Sequence, residues 1–433
     1  MTPRVDAGVR VATTPPMGWN SWDSFGTAVT EDEVLANARF MAEHLLPHGW
    51  NTVVVDIQWY EPTARAGGYN EEPPVELDAH GRQMPAANRF PSSAGGAGFG
   101  PLAAAVHDLG LSFGLHIMRG IPRRAVREDL PVLGTDFTAA QVADTSSTCA
   151  WNPDNYGLNH DHPGAQAYYD AQLAQFAGWG VDFVKADDML APYHSREIEA
   201  YAEAIRRSGR PIALSLSPGT NLSTEHLDHL RANAQMWRVS NDLWDRWPDV
   251  FEQFGRMSRW APFQAEGAWA DADMLPLGHI GIRAERGDDR QSLLTYEEQR
   301  TLMTLWVMAR SPLMFGGDLP TSPRETVDLL TNDDVLRVLR HSERNREVIR
   351  EGDLVAWTAI ATDAPARYAA VFWTGDAPET VSVPLTSLGI DPAAGGVVTD
   401  VWSGGVVAVA GDSLDLEVPA HGARLVRADR RGA

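Results

Sequence analysis

Residues 181–190 read VDFVKADDML: an apolar run that ends in a lysine and two aspartates. Val181, Phe183 and Val184 are β-branched and aromatic residues of the kind that fill a strand covered on both faces, as the strands of a parallel sheet are. A buried strand that ends in charges delivers them to its carboxyl end. In α/β sheets that end is where ligands bind.

Working outward, the same grammar recurs. Short β-branched or aromatic runs stand at 16–22 (PMGWNSW), 50–60 (WNTVVVDIQWY), 111–118 (LSFGLHIM), 211–217 (PIALSLS), 235–242 (QMWRVSND) and 311–317 (SPLMFGG), with a less defined one inside 260–274. Together with 181–188 they make eight, and most are followed by a helix-period segment, the pattern of repeated βα units. Two of the helices carry capping boxes, TEDE at 30–33 and TYEE at 295–298. Past the first of these, Val34, Ala38, Met41 and Leu45 make one apolar face, with Gly49 beyond it. Eight units favour a closed (β/α)₈ barrel. A dinucleotide-binding sheet is disfavoured because no GxGxxG follows the first strand.

After Asn345 the helix signals stop. DLVAWTAIA, RYAAVFWTG, ETVSVPLTS, VVTDVWSG and LDLEVPAHGARLVRA are strands separated by turns. We therefore expect a barrel over 1–340 and a separate C-terminal antiparallel β-domain over 341–433. Residues 62–100, rich in Gly, Pro and acids, read as a long loop leaving the second strand, and loops of that length are usually functional or disordered.

Composition narrows the function. The chain has 433 residues, of which 44% are hydrophobic and 22% charged, with 15 tryptophans, enough for a large core. Its net charge of −22, from 36 basic and 58 acidic residues, disfavours nucleic acid and anionic membrane as partners. No stretch reaches the ~18 apolar residues of a membrane span, and the N-terminus lacks the apolar core of a secretory leader, so a cytoplasmic location is expected. The lone Cys149 cannot form an internal disulfide and reads as an inert loop thiol. NHDHPG at 159–164 reads as a polar loop before a proline-started helix rather than a metal site. The sequence leaves a homo-oligomer open.

In a (β/α)₈ barrel the chemistry sits at the strands' carboxyl ends. Those ends hold Trp22, Asp56 with Trp59, His116, Lys185 with Asp187 and Asp188, and Arg238 with Asp242, while the loop WADADML adds Asp271 and Asp273. Two strand-end carboxylates flanked by tryptophans suggest glycoside hydrolysis, in which one carboxyl attacks the anomeric carbon and the other moves a proton. Tryptophan suits a sugar because its flat face stacks on C–H groups while its N–H stays free to bond.

TPPMGWNSWDSF, GVDFVKADD, MWRVSND, WADADML and QRTLMTLWVMARSPLMFGGDL, in this order and spacing, resemble the signature blocks of glycoside hydrolase family 27. The resemblance covers nearly the whole chain. It implies a (β/α)₈ barrel followed by a β-sandwich, no metal and no cofactor, and retaining, exo-acting hydrolysis of oligosaccharides or glycosides ending in α-linked galactose or N-acetylgalactosamine. It makes Asp187 the nucleophile and Asp242 the acid/base. It gives substrate-binding roles to Trp22, Asp56, Trp59, His116, Lys185, Ser217, Arg238 and Asp273.

Two departures stand out. Where the family has paired aspartates after the second strand, this chain has Asp56 and Ile57, then Gln58, so one of two carboxylates that would hold the 4- and 6-hydroxyls is missing. Gln58 or the 61–100 loop is expected to supply a replacement. The departure also admits a relative acting on β-L-arabinopyranosides or α-glucosides, or a catalytically silent sugar-binding barrel. In the fifth strand, Ser217, Pro218 and Gly219 stand where galactosidases place a glutamate, which is expected to leave room for a 2-acetamido group.

Overall fold

The computed structural model describes residues 11–392 and 396–429; the N-terminal residues read above for a leader lie partly outside them. Eight parallel strands follow one another around a curled sheet: β1 Met17–Asn20, β2 Thr52–Val55, β3 Ser112–Met118, β4 Phe183–Asp187, β5 Ala213–Leu216, β6 Met236–Arg238, β7 Trp269–Asp271 and β8 Leu313–Phe315. β8 pairs with β1, placing Met17 opposite Leu313 and Trp19 opposite Phe315. Between β7 and β8 the connection narrows to one bridge: the Leu275 N–H donates to the Met314 carbonyl at 2.8 Å, and the Leu275 carbonyl accepts from Gly316 at 3.1 Å. This is the expected (β/α)₈ architecture, with strands shorter than the apolar runs that announced them.

The helix signals act as read. At Thr30 and Glu33, and again at Thr295 and Glu298, side chain and backbone bond reciprocally, satisfying N–H groups that have no partner inside the helix. Val34, Ala38, Met41 and Leu45 are all fully buried. Sequence reading missed a small antiparallel sheet after β3 (Ile121–Pro122, Ala143–Thr148 and Asn155–Leu158) and a two-stranded hairpin after β7 (His279–Ile280 with Arg290–Gln291).

Helix Asp333–Arg340 ends the barrel, and a β-domain begins at Ser342. Its larger sheet runs in the order β9 (Ser342–Glu351), β10 (Leu354–Ala361), β11 (Ala366–Trp373), β16 (Gly422–Asp429), β13 (Val398–Asp400); the smaller runs β12 (Glu379–Pro384), β15 (Ser413–Val418), β14 (Val409–Ala410). Successive side chains on a strand face opposite ways. Thus Ala356, Ala369 and Val371 pack against Val383, Leu414 and Leu416 inside the sandwich, while Val355, Trp357, Tyr368, Ala370 and Phe372 join the core shared with the barrel. That double coverage is why these strands read as unbroken apolar runs. Phe372 meets Phe254 edge-on at 5.0 Å, and His421 stacks on Trp247 at 4.1 Å. Among the described residues, no helix is long and apolar enough to cross a membrane.

Candidate active site

A pocket of about 670 Å³ opens at the carboxyl ends of the barrel strands, lined by Trp22, Asp56, His116, Lys185, Asp187, Arg238, Asp242 and Asp273 among others. Eight of the ten site residues expected from sequence therefore meet in one cavity.

On one side, β4 carries Lys185 and Asp187 and the end of β2 carries Asp56. The Lys185 Nζ donates to Asp56 Oδ2 at 3.0 Å, and Asn20 Nδ2 donates to the same oxygen at 2.8 Å. His116 bridges the two carboxylates, with Nε2 3.3 Å from Asp187 Oδ2 and Nδ1 3.6 Å from Asp56 Oδ1. Asp187 Oδ1 accepts from the Asp188 N–H and the Ser217 hydroxyl, each at 2.9 Å. Burial pushes the Asp187 carboxyl up, but the hydrogen bond and charge of His116 and the charge of Lys185 outweigh it and hold it far below its ordinary value. Burial likewise raises Asp56, and His116, Lys185 and Asn20 together bring it below its ordinary value. Burial would discharge Lys185, but Asp56 and Asp187 hold its pKa above normal.

Opposite them, Arg238 at the end of β6 spans two carboxylates: Nη2 donates to Asp242 Oδ1 at 2.9 Å and Nη1 lies 3.0 Å from Asp273 Oδ1. Asp273 is almost fully buried, and its other oxygen accepts from the Leu243 N–H at 2.7 Å. Asp242 is 44% exposed at the rim. Below them, burial and the repulsion of Asp273, against the pull of Arg238, push the Asp271 carboxyl up to about 7. The pocket therefore presents a largely buried, ionised carboxylate, Asp187, and a solvent-reaching one, Asp242. That pairing suits attack on an anomeric carbon from one side and proton delivery to the leaving oxygen from the other.

Trp59 and Ser217 lie outside the pocket. Trp59 does not face the pocket: it is fully buried among Phe99, Phe176 and Trp179, and its indole N–H donates to the His116 carbonyl at 2.8 Å. Ser217 is 1% exposed and bonds Asp187 rather than lining the pocket. A Cβ at Gly219 would fall 1.7 Å from the Arg238 carbonyl oxygen, so the space a side chain there would take is filled by backbone, while Pro218 and Thr220 on either side line the pocket. Gln58 turns away, its amide donating to both Asp154 oxygens at 2.7 and 2.9 Å. Ile57 itself lines the pocket beside Asp56.

Sequence reasoning missed Tyr69. It comes from the 61–100 loop, lines the pocket and stacks on Trp22 with centroids 6.2 Å apart. Burial and the nearby Asp187 and Asp56 push its phenol well above its ordinary value, so it stays a hydrogen-bond donor. Only the loop's length hinted at it. His160 Nε2 is 3.0 Å from Glu197, and His162 accepts from the Gly164 N–H at the start of its helix. Burial pushes the Cys149 thiol up to about 12, which leaves it unreactive.

Comparison with known proteins follows the same lines. Residues 155–341 match the family model "Alpha galactosidase A", and residues 351–428 match "Alpha galactosidase C-terminal beta sandwich domain". The chain is 24% identical to Alpha-galactosidase 2 of Arabidopsis thaliana (98% of this chain, 91% of that protein) and 27% identical to the Alpha-N-acetylgalactosaminidase of Gallus gallus (92% and 88%). Among solved structures it superposes with a TM-score of 0.94 on a family 27 β-L-arabinopyranosidase of Geobacillus stearothermophilus in complex with arabinose; that protein is 47% identical, with 97% of this chain and 98% of the other covered. The barrel, the carboxylates at its mouth, the appended sandwich and this near-complete similarity place the chain in glycoside hydrolase family 27, the α-galactosidase family.

Proposed function

We propose that this enzyme is a retaining, exo-acting glycosidase that removes terminal β-L-arabinopyranosyl residues, with terminal α-D-galactosyl residues as slower substrates. The two sugars have the same ring configuration and differ by the hydroxymethyl group on C5 of galactose. The observation that carries this reading is Ile57, an apolar side chain on the pocket wall beside Asp56, where an acid would otherwise hold the 4- and 6-hydroxyls. A sugar without a 6-hydroxyl needs no second carboxylate there and packs its C5 methylene against the isoleucine. The activity named for the 47% identical Geobacillus stearothermophilus protein supports the same choice.

In the proposed reaction, Asp187 attacks C1 while Asp242 gives its proton to the glycosidic oxygen, releasing the leaving group and forming a glycosyl ester on Asp187. Asp242 then takes a proton from water, whose oxygen attacks C1 and frees Asp187. Lys185 and Asp56 hold ring hydroxyls on one side and Arg238 with Asp273 on the other, with Trp22 and Tyr69 as a wall. The test is a panel of 4-nitrophenyl glycosides (β-L-arabinopyranoside, α-D-galactoside, α-N-acetyl-D-galactosaminide and α-D-glucoside), with NMR of the first-formed anomer. A preference for any other sugar, or an inverted product, would refute the proposal. No turnover on any of them would favour a silent sugar-binding barrel.

A further inference from the structure

Asp23 belongs to no part of that scheme, yet it lines the pocket while only 3% exposed. It lies on a single helical turn, Trp22–Phe25, directly after β1. Its Oδ2 is fully buried and has no hydrogen-bond partner. Room for that carboxyl exists because residue 316 is glycine: a Cβ there would come within 1.9 Å of Oδ2.

Every cation near it is committed elsewhere. Lys185 bonds Asp56, Arg238 spans Asp242 and Asp273, and Arg290 pairs with Asp245 at 2.7 Å. The other groups that act on it are the carboxylates of Asp273, Asp242 and Asp56. An ionised carboxylate buried without a counter-ion or hydrogen bonds costs far more than a neutral acid in the same place.

We propose that Asp23 is an uncharged carboxylic acid in the resting enzyme, its buried Oδ2 left as the unprotonated oxygen against Gly316, and that its other oxygen donates a hydrogen bond to a hydroxyl of the bound sugar, a specificity-determining contact beside the accepting carboxylates of Asp56 and Asp273. The inference rests on reading this pocket as the sugar subsite. Burial and the repulsion of Asp273, opposed by Lys185, raise the Asp23 carboxyl well above its ordinary value. The neutral donor is therefore present at low and moderate pH and is lost as the pH rises through that raised value. Sugar affinity falls with it.

Two measurements on the intact protein test this. Infrared difference spectra of wild type and Asp23→Asn should show a protonated-carboxyl band at moderate pH that the variant lacks. Calorimetric titration with L-arabinose and D-galactose across the same pH range should show wild-type affinity dropping on the alkaline side. Asp23→Asn, which keeps a donor that cannot ionise, should bind a few-fold more weakly but with that drop flattened. Asp23→Ala should weaken binding about 5- to 150-fold, the range for an unpaired buried polar partner. A missing band, an alkaline drop that persists in Asp23→Asn, or an unchanged affinity in Asp23→Ala would each overturn the proposal. Sugar binding without hydrolysis would sink the proposed function and leave this assignment standing; binding of neither sugar would sink both.

Discussion

Replacing Ile57 with alanine tests the substrate reading most directly. Ile57 is 1% exposed, and part of its surface forms the pocket wall beside Asp56. Truncation removes three carbons from the point where a C5 substituent would enter. One methylene more or less in an apolar subsite is worth about 1–3 kcal/mol, or roughly 10- to 200-fold in specificity constant. The galactoside-to-arabinopyranoside ratio of kcat/KM should therefore rise by about that factor, partly through lost contact with the arabinopyranoside and partly through relieved crowding of the hydroxymethyl group. The same truncation empties a well-packed site and is expected to cost about 2–5 kcal/mol of stability, so folding must be verified by circular dichroism at the assay temperature. Initial rates on the two 4-nitrophenyl glycosides give the ratio, which is insensitive to the fraction of active protein. An unchanged ratio in a folded variant would refute the placement of Ile57 against C5.

Asp187→Asn should abolish turnover of every glycoside, whereas Asp242→Asn should lose about 10²–10⁴-fold on poor leaving groups and least on 2,4-dinitrophenyl glycosides, a contrast read from kcat/KM across a leaving-group series. His116→Phe removes the hydrogen bond and charge that chiefly hold Asp187 ionised, so the acid limb of the kcat/KM profile should move up by about 1–2 pH units, the equivalent of a charged hydrogen bond worth about 1.5–3 kcal/mol. The sign follows from linkage: a depressed folded-state pKa adds stability above the unfolded carboxyl value of about 3.9 and loses it as the pH falls through the folded value, so the variant should also tolerate acid less well in a thermal melt. Ser217→Glu should lower kcat/KM on all sugars without changing the acetamido-to-hydroxy ratio, because the longer acid would crowd Asp187 rather than reach C2; a shifted ratio would restore the open-cavity reading of that strand.

Local chemistry determined much of this protein from sequence alone. Apolar runs of strand length, several of them ending in charge, fit strands buried on both faces with their ends at a site, and VDFVKADD carries that information without its partners. Capping boxes at Thr30 and Thr295 are local for the same reason, since a side chain bonds backbone three residues away. Lys185, Asp187, Arg238 and Asp242 were legible because strand direction places them. What only the tertiary structure decided is which of two neighbouring side chains faces the cavity. Trp59 and Gln58 stand within three residues of Asp56, yet one packs into an aromatic core and the other bonds Asp154, because the chain leaves β2 and turns as soon as Val55 ends. Tyr69 reaches Trp22 through a long loop whose course no local periodicity encodes. The empty space suggested by Gly219 is filled by the Arg238 carbonyl, and the space at Gly316 is reserved for Asp23. Occupancy of a volume depends on segments distant in sequence, and only the folded chain brings them together.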